Sequence, residues 1–186
     1  ADEMTEIIAT YQPGTTYTAT TYDLADYAGE TVYVAFRHTG NDKWAILLDQ
    51  VEILGEYGEE PIITDEPIVT DEPIVTDEPI VTDEPNEDVG WHFVNDLEDW
   101  TTIDADGDGY TWYWQSSTTG HDGEPGLATS ASSLSTALAP DNWFVTPALE
   151  IVDINSVGFS FWVNAQDASW AAEHFRVYVG TEPEVG

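Results

Sequence analysis

Apolar and polar positions along the chain fall into short runs with the two-residue period of β-strands. Residues 6–11 (EIIATY) form one such run, stopped by Pro13-Gly14. Thr15 to Tyr22 is rich in Thr and Tyr with the same alternation, as a half-buried strand requires. Thr31 to His38 (TVYVAFRH) reads as a core strand, and Trp44 to Leu54 (WAILLDQVEIL) as another, with Asp49 embedded among apolar neighbours. Asp23 to Gly29 reads as a turn or a single helical turn closed by glycine. Further strands are expected at Trp91–Val94, Thr111–Gln115, Asn142–Thr146, Ser156–Asn164 and His174–Gly180. Turn clusters at 104–109, 118–126 and 139–142 separate them. In this second half only Ala165–Glu173 has the character of a short helical turn. Short strands at these spacings predict an all-β fold, an antiparallel β-sandwich of the jelly-roll kind, over any parallel βαβ arrangement.

The strand pattern is interrupted by a different text. From Pro61 the chain reads PIITDE, PIVTDE, PIVTDE, PIVTDE, then Pro85-Asn86. Proline at every sixth position fixes φ, removes an amide donor and pushes the preceding Glu toward extended geometry. Helix is excluded and a regular interior strand is disfavoured. The segment 58–87 therefore reads as a stiff, extended, self-repelling linker. A second reading uses the apolar pairs Ile68-Val69, Ile74-Val75 and Ile80-Val81, whose regular spacing suits docking along a sheet edge or a neighbouring module. The chain divides accordingly into 1–57, 58–87 and 88–186.

Charge narrows the partners. There are 37 Asp and Glu against 3 Lys and Arg, a formal charge of −34. Nothing here neutralises phosphates, so nucleic acid is excluded as a partner, and docking on an anionic membrane is disfavoured. No apolar run approaches the ~18–20 residues that span a bilayer, so no membrane insertion is expected. With no cysteine, stability must come from a core or from metal. An apolar content of 41% with 12% aromatics is enough for a core. High salt or extracellular divalent cations would make such a charge tolerable, and both point away from an ordinary cytoplasm.

Several phrases resemble the cleaved-adhesin, or choice-of-anchor J, family, the MAM-like jelly-roll modules of gingipain haemagglutinin regions. They are Trp100-Thr-Thr-Ile-Asp-Ala-Asp-Gly-Asp-Gly109, Pro140-Asp-Asn-Trp-Phe-Val-Thr-Pro-Ala-Leu149, Phe159-Ser-Phe-Trp-Val163 and Ala172-Glu-His-Phe-Arg-Val-Tyr-Val179. Val34-Ala-Phe-Arg-His38 and Leu47-Leu-Asp-Gln-Val51 carry the resemblance into the first segment. Gln50 departs from it, standing where the family often has a second Asp. In the family, text like 88–186 comes first and text like 1–55 last, so here the order is permuted. Reading Gly186 into Ala1 restores a strand–turn–strand sequence. The resemblance thus implies one period of a tandem array cut inside a domain. Separate subunits exchanging halves, or one chain whose own halves meet, are the other arrangements. In each, neither half folds well alone, because each leaves an open sheet edge and half a core.

Asp104-Ala-Asp-Gly-Asp-Gly109 places three carboxylates at every second residue across a glycine-rich turn. Ca²⁺ wants six to eight oxygens at about 2.3–2.6 Å, and such a loop gathers several onto one point. Gln115 stands where an EF-hand has its twelfth-position Glu, so a β-sandwich calcium loop is expected, with Asp104, Asp106 and Asp108 as ligands. The plainer reading is a solvated acidic turn. A second cation site is suggested by Asp96 and Glu98 after the opening strand and by Asp49 in the closing one. A buried, unpaired Asp49 costs several kcal/mol. Calcium would remove that cost, and so would pairing with Arg37.

The four histidines lack zinc spacing and thiolate partners. His38 and His174 lie in expected strands and read as packing histidines. No G-x-S-x-G, cysteine nucleophile or H-E-x-x-H is present, so an enzyme is not expected. Trp112, Trp114 and Trp170 are candidate sugar contacts. Against this, an alternating Trp/Tyr run such as Tyr110–Trp114 ordinarily packs one face into a core, with Trp112 and Trp114 on the same side. The sequence predicts a calcium-stabilised structural or adhesive repeat unit, secreted or displayed at the cell surface, that neighbouring copies build into a fibre or stalk. Proteins, glycans or other cells would be its ligands. A carbohydrate- or protein-binding accessory module of a secreted enzyme is the other reading.

Overall fold

A computed structural model describes residues 4, 6–54, 89–93, 95–151 and 158–185. The hexapeptide segment 58–87 lies outside the described residues, and so do Val94 and residues 152–157. Twelve strands are described in chain order: β1 Glu6–Tyr11, β2 Thr18–Asp23, β3 Thr31–His38, β4 Ala45–Leu54, β5 Val89–Trp91 and β6 Thr101–Asp104. Then come β7 Tyr113–Trp114, β8 Ala128–Ala131, β9 Asn142–Val145, β10 Leu149–Glu150, β11 Gly158–Ala165 and β12 Phe175–Gly180. One 3-10 turn, Ala25–Tyr27, fills the Asp23–Gly29 segment. Of the stretch Ala165–Glu173, Ala165 ends β11 and the rest is a bend and turn, held where Asp167 accepts the Trp170 and Ser169 amides. Among the described residues no helix is long and apolar enough to cross a membrane.

The strands form two six-stranded sheets with antiparallel pairing throughout. The first runs β1-β12-β3-β9-β6 with β10 on β3, and the second β2-β11-β4-β8-β7 with β5 on β4. Both sheets draw strands from both ends of the chain. In the first, β3 lies between β12 and β9, and in the second, β4 lies between β11 and β8. The halves on either side of the acidic segment thus share one core. β1 lies against β12, where the Met4 amide donates to the Glu184 carbonyl at 3.0 Å.

Alternation decides what that core contains. From β3 and β9, Phe36 and Phe144 point between the sheets, where they meet Trp100, Trp112, Phe161 and Phe175. The intervening Ala35, Trp143 and Val145 face outward, yet Met4 and Tyr178 cover them in a second cluster. This is why β9 is buried on both faces. β8, unexpected from its polar ATSA text, fits here because small side chains let it lie buried beside β4. The opening strand ends earlier than its apolar text suggests: Phe93 takes φ 50°, a left-handed conformation no strand continues. Only Tyr113 and Trp114 of the run 111–115 pair in a ladder, since Trp112 turns inward.

Candidate functional site

Three groups of polar or exposed side chains survive the demands of the fold. The first is the acidic loop. Asp104, Asp106 and Asp108 each bring a carboxylate oxygen within 4.8 Å of the others. Backbone amides organise them: Asp104 accepts from Gly107 and Gly109 at 2.7 and 2.8 Å, and Asp106 accepts from Asp108 at 2.9 Å. Gly107 and Gly109 sit at φ 75° and 87°, which the tight turn requires. A further link ties the loop to the sheet. Asp106 accepts the Asp141 amide at 2.5 Å, and Asp141 accepts from Nε and Nη2 of Arg37, each at 2.6 Å. That bidentate pair holds the Arg37 charge firmly in place, well above its ordinary titration range. Ligands across a Ca²⁺ stand roughly 4.6–5.2 Å apart. The spread of oxygens and their hard character fit one such ion.

The second group surrounds Asp49. β4 carries one residue more than β11 at this point, and Gln50 takes φ 45°. Such a bulge re-aims the neighbouring side chain, and Asp49 is buried, 1% exposed. Its Oδ2 accepts the His121 amide at 2.6 Å, while Oδ1 is buried with no hydrogen-bond partner. Burial raises its pKa above the usual carboxylate range, Asp122 raises it further, and the His121 and Gln50 amides oppose this. The Tyr17 hydroxyl, also buried without a partner, is pushed upward by burial and by the Asp49 and Asp122 charges. Gly120 makes room: a Cβ there would stand 2.2 Å from Asp49 Oδ2. An orphaned buried carboxylate oxygen fits a hard cation.

Two expectations need correction here. Arg37 does not neutralise Asp49, because Asp141 takes its guanidinium. Nor, among the described residues, do the carboxylates of Asp49, Asp96 and Glu98 gather into one cluster of ligand atoms; the acid that acts on Asp49 is Asp122. Asp96 accepts the Glu98 amide at 2.7 Å, and Glu98 turns back to accept the Phe93 amide at 3.1 Å. Burial raises the Glu98 pKa as well, with Asp96 adding to it. His92 links the two places, lying within electrostatic reach of both Asp49 and Glu98.

The third group is one the sequence hid. His38 is fully buried, with Nδ1 on Ser130 Oγ at 2.8 Å and Nε2 on Glu173 Oε2 at 2.9 Å. Glu173, also fully buried, accepts the Ser132 hydroxyl at 2.6 Å. Asn142 Nδ2 donates to Ser130 at 3.1 Å, and the Lys43 amide donates to Ser132 at 2.8 Å. A serine, a histidine and a carboxylate in line have the makings of a nucleophile relay. Ser130, His38 and Glu173 are each 0% exposed, so no substrate reaches the hydroxyl, and the array serves as a buried polar brace. Gly40 packs directly against it. A Cβ there would stand 1.7 Å from Glu173 Oε2.

The brace supports an exposed surface. Ser132 and Ser133 donate their amides to the Trp44 carbonyl at 2.8 and 3.1 Å. Trp44 itself takes φ 130° and Asp42 φ 49°, conformations that cost about 1–3 kcal/mol each for non-glycine residues. The Trp44 ring is 47% exposed, and Trp170 from the Ala165–Glu173 turn is 52% exposed. Together with Asp42, Lys43 and Ser133 they line a cleft of about 260 Å³. Trp112 is not a ligand contact. It is buried against Phe144 and donates Nε1–H to the Asn142 carbonyl at 3.1 Å. Trp114 is partly exposed and anchored by Nε1–H to the Phe93 carbonyl at 2.7 Å.

Two antiparallel sheets closed face to face, with acidic and aromatic groups carried on the connecting loops, define a jelly-roll β-sandwich module. The chain belongs to the Cleaved Adhesin Domain family, whose model matches residues 2–53 and 94–184. Gingipain R1 of Porphyromonas gingivalis is 35% identical over 97 residues, covering 44% of this chain and 5% of its own length. Hemagglutinin A of the same organism is 39% identical over 92 residues, covering 44% of this chain and 4% of its own length. The chain spans no more than 5% of the length of these two relatives. No solved structure matches it.

Proposed function

We propose that the chain is a calcium-stabilised adhesive module of a secreted or cell-surface protein, joined to neighbouring copies of itself in a fibre or stalk. Family membership supports the adhesive role, since the relatives carry the names gingipain and hemagglutinin. The observation that carries the assembly is the pairing of β1 with β12. These strands are far apart in the chain yet adjacent in the sheet. A β1 from a neighbouring copy satisfies the same edge of β12, by tandem continuation or by exchange of halves between subunits. The acidic hexapeptide segment then sets the spacing between modules. An accessory binding module of a larger secreted enzyme is the second reading, favoured by the small share of its relatives that this chain covers.

The denatured mass of the native material tests the assembly. A ladder or a giant chain is expected for tandem repetition, and a single species near 20.5 kDa for exchanging subunits or for one chain whose own halves meet, which the native mass then separates. A parent chain with one copy beside a catalytic domain would sink the fibre and support the second reading. Calcium is tested separately. A ligand bound only by the folded state stabilises it by about 2.7 kcal/mol at a hundred times its Kd. Chelation at low salt is therefore expected to lower the melting temperature by roughly 5–10 °C. An unchanged melting curve removes calcium from the account. Smaller shifts in Asp104→Asn and Asp106→Asn than in the parent would assign the effect to the acidic loop.

A further inference from the structure

We infer that the cleft between Trp44 and Trp170 is a binding site for a neutral saccharide, an inference that rests on the adhesive reading and names its ligand. Trp44 and Trp170 are the two most exposed tryptophans among the described residues, and they come from distant parts of the chain. A core has no use for either ring in that position. Scattered exposed aromatics are ordinary, but two converging on one cleft mark a contact surface.

The backbone points the same way. Trp44 presents its ring from φ 130°, and the strain is held by the amides of Ser132 and Ser133 on its carbonyl. Ser132 is in turn fixed by its hydroxyl on Glu173, which is itself fixed by His38. Trp170 is set by its amide on the Asp167 carbonyl at 3.2 Å. Both loops therefore stand on a buried base, and the cleft is organised before any ligand arrives. The strain sits at the residue whose side chain faces solvent, which is where a functional demand would keep it.

Ligand chemistry follows from the lining. Indole faces stack on flat patches of C–H bonds. Around them stand a donor-only group, an acceptor-only group and one that is both. Lys43 Nζ lies 5.7 Å from the centre of the Trp170 ring, with Asp42 and Ser133 beside it. A sugar ring matches this set, with apolar C–H faces and a rim of hydroxyls that donate and accept. A volume of about 260 Å³ suits a short saccharide rather than a drug-sized cofactor. Charge selects among saccharides. Lys43 is the single cation in the cleft, Asp42 offsets it, and the chain carries −34 overall. Sialylated, sulfated or uronic glycans meet repulsion here, as does an acidic peptide. Neutral hexoses do not.

An array of neutral, sialylated and sulfated glycans, with the peptide PIVTDEPIVTDEP included, tests this on the intact chain. Neutral glycans are expected to bind, with affinity reduced at least tenfold in Trp170→Ala and in Lys43→Gln. Trp170→Ala changes an exposed turn, so its melting temperature is expected to match the parent's. Trp44→Ala gives the same loss where it folds. Binding that survives Trp170→Ala, binding confined to anionic glycans or to the peptide, or no binding at all overturns the inference. Adhesion of chain-coated beads to cells, before and after periodate oxidation of surface glycans, separates the two levels. Adhesion that persists after periodate and in Trp170→Ala leaves an adhesive module and removes the saccharide site. Array binding without adhesion does the reverse.

Discussion

Glu173→Leu is expected to be the most damaging single substitution outside the apolar core, lowering stability by about 3–5 kcal/mol. The carboxylate accepts from Ser132 and pairs with His38, and all three side chains are buried. Leucine leaves the ring nitrogen and the hydroxyl without partners in a buried space. Each orphaned group costs about 1–3 kcal/mol. For a domain of this size the melting temperature then falls by roughly 6–20 °C. Glu173→Gln keeps an acceptor and should lose less than half as much. Gly40→Ala reaches the same network from outside, since its Cβ and Glu173 Oε2 cannot occupy the space between them. The double variant His38→Leu, Glu173→Leu should cost clearly less than the two single losses added, because the groups act on each other. Thermal unfolding of these four variants and of His38→Leu alone measures all of this. A Glu173→Leu protein within 1 kcal/mol of the parent would mean the brace carries no stability.

That brace shows where sequence reading stops. The alternation TVYVAFRH announced a core strand, and His38 at its end is indeed a packed histidine. Its partners arrive from 92 and 135 residues away. Glu173 lay in a stretch that read as a short helical turn, and Ser130 and Ser132 lay in text too small and polar to read as a buried strand. No period or spacing joins such residues; the register that sets His38 opposite Phe175 and Asn142 does, with Ser130 arriving from β8 of the other sheet. Short-range chemistry was more legible. The Asp104–Asp108 spacing describes a loop whose contacts are mostly its own amides, and the structure gathers those carboxylates. Asp49 falls between these cases. An acid within WAILLDQVEIL announced a buried charge, but Arg37 was the wrong neighbour. Its partner was fixed by the β3–β9 register, which sets Arg37 opposite Trp143, beside the loop that holds Asp141.

The same register explains how a chain with three Lys and Arg residues keeps its charges in order. Arg37 is spent on Asp141, which anchors the acidic loop, and its guanidinium also lies 4.8 Å from the Trp143 ring centre. Lys43 is committed to the aromatic cleft. Neither is available to Asp49, and Arg176 lies on β12 of the other sheet. The buried carboxylate must therefore hold a proton, endure its own charge, or share a cation, and these states differ in their response to one substitution.

Asp49→Asn is expected to change sign with calcium. In chelator the ionised carboxylate is a liability, because burial and Asp122 disfavour its charge. Its folded-state pKa lies above the ordinary carboxylate value, so the folded chain binds this proton more tightly than the unfolded one. The Asp49 contribution to stability is then greatest below the ordinary carboxylate range and declines as pH rises through the raised value. At neutral pH Asn removes the charge and keeps an oxygen for the His121 amide, so the variant should be more stable than the parent by about 1–3 kcal/mol. With millimolar Ca²⁺ the order reverses. A cation at Oδ1 favours the ionised form and removes the upward pKa shift. Asn forfeits that ligand, and the parent should now melt roughly 5–10 °C above the variant. Melting curves at pH 7 for both proteins, with Ca²⁺ and with chelator, supply the four values needed. A variant less stable under both conditions would mean that the Asp49 charge is satisfied by the protein alone. A variant more stable under both would mean that no cation reaches it.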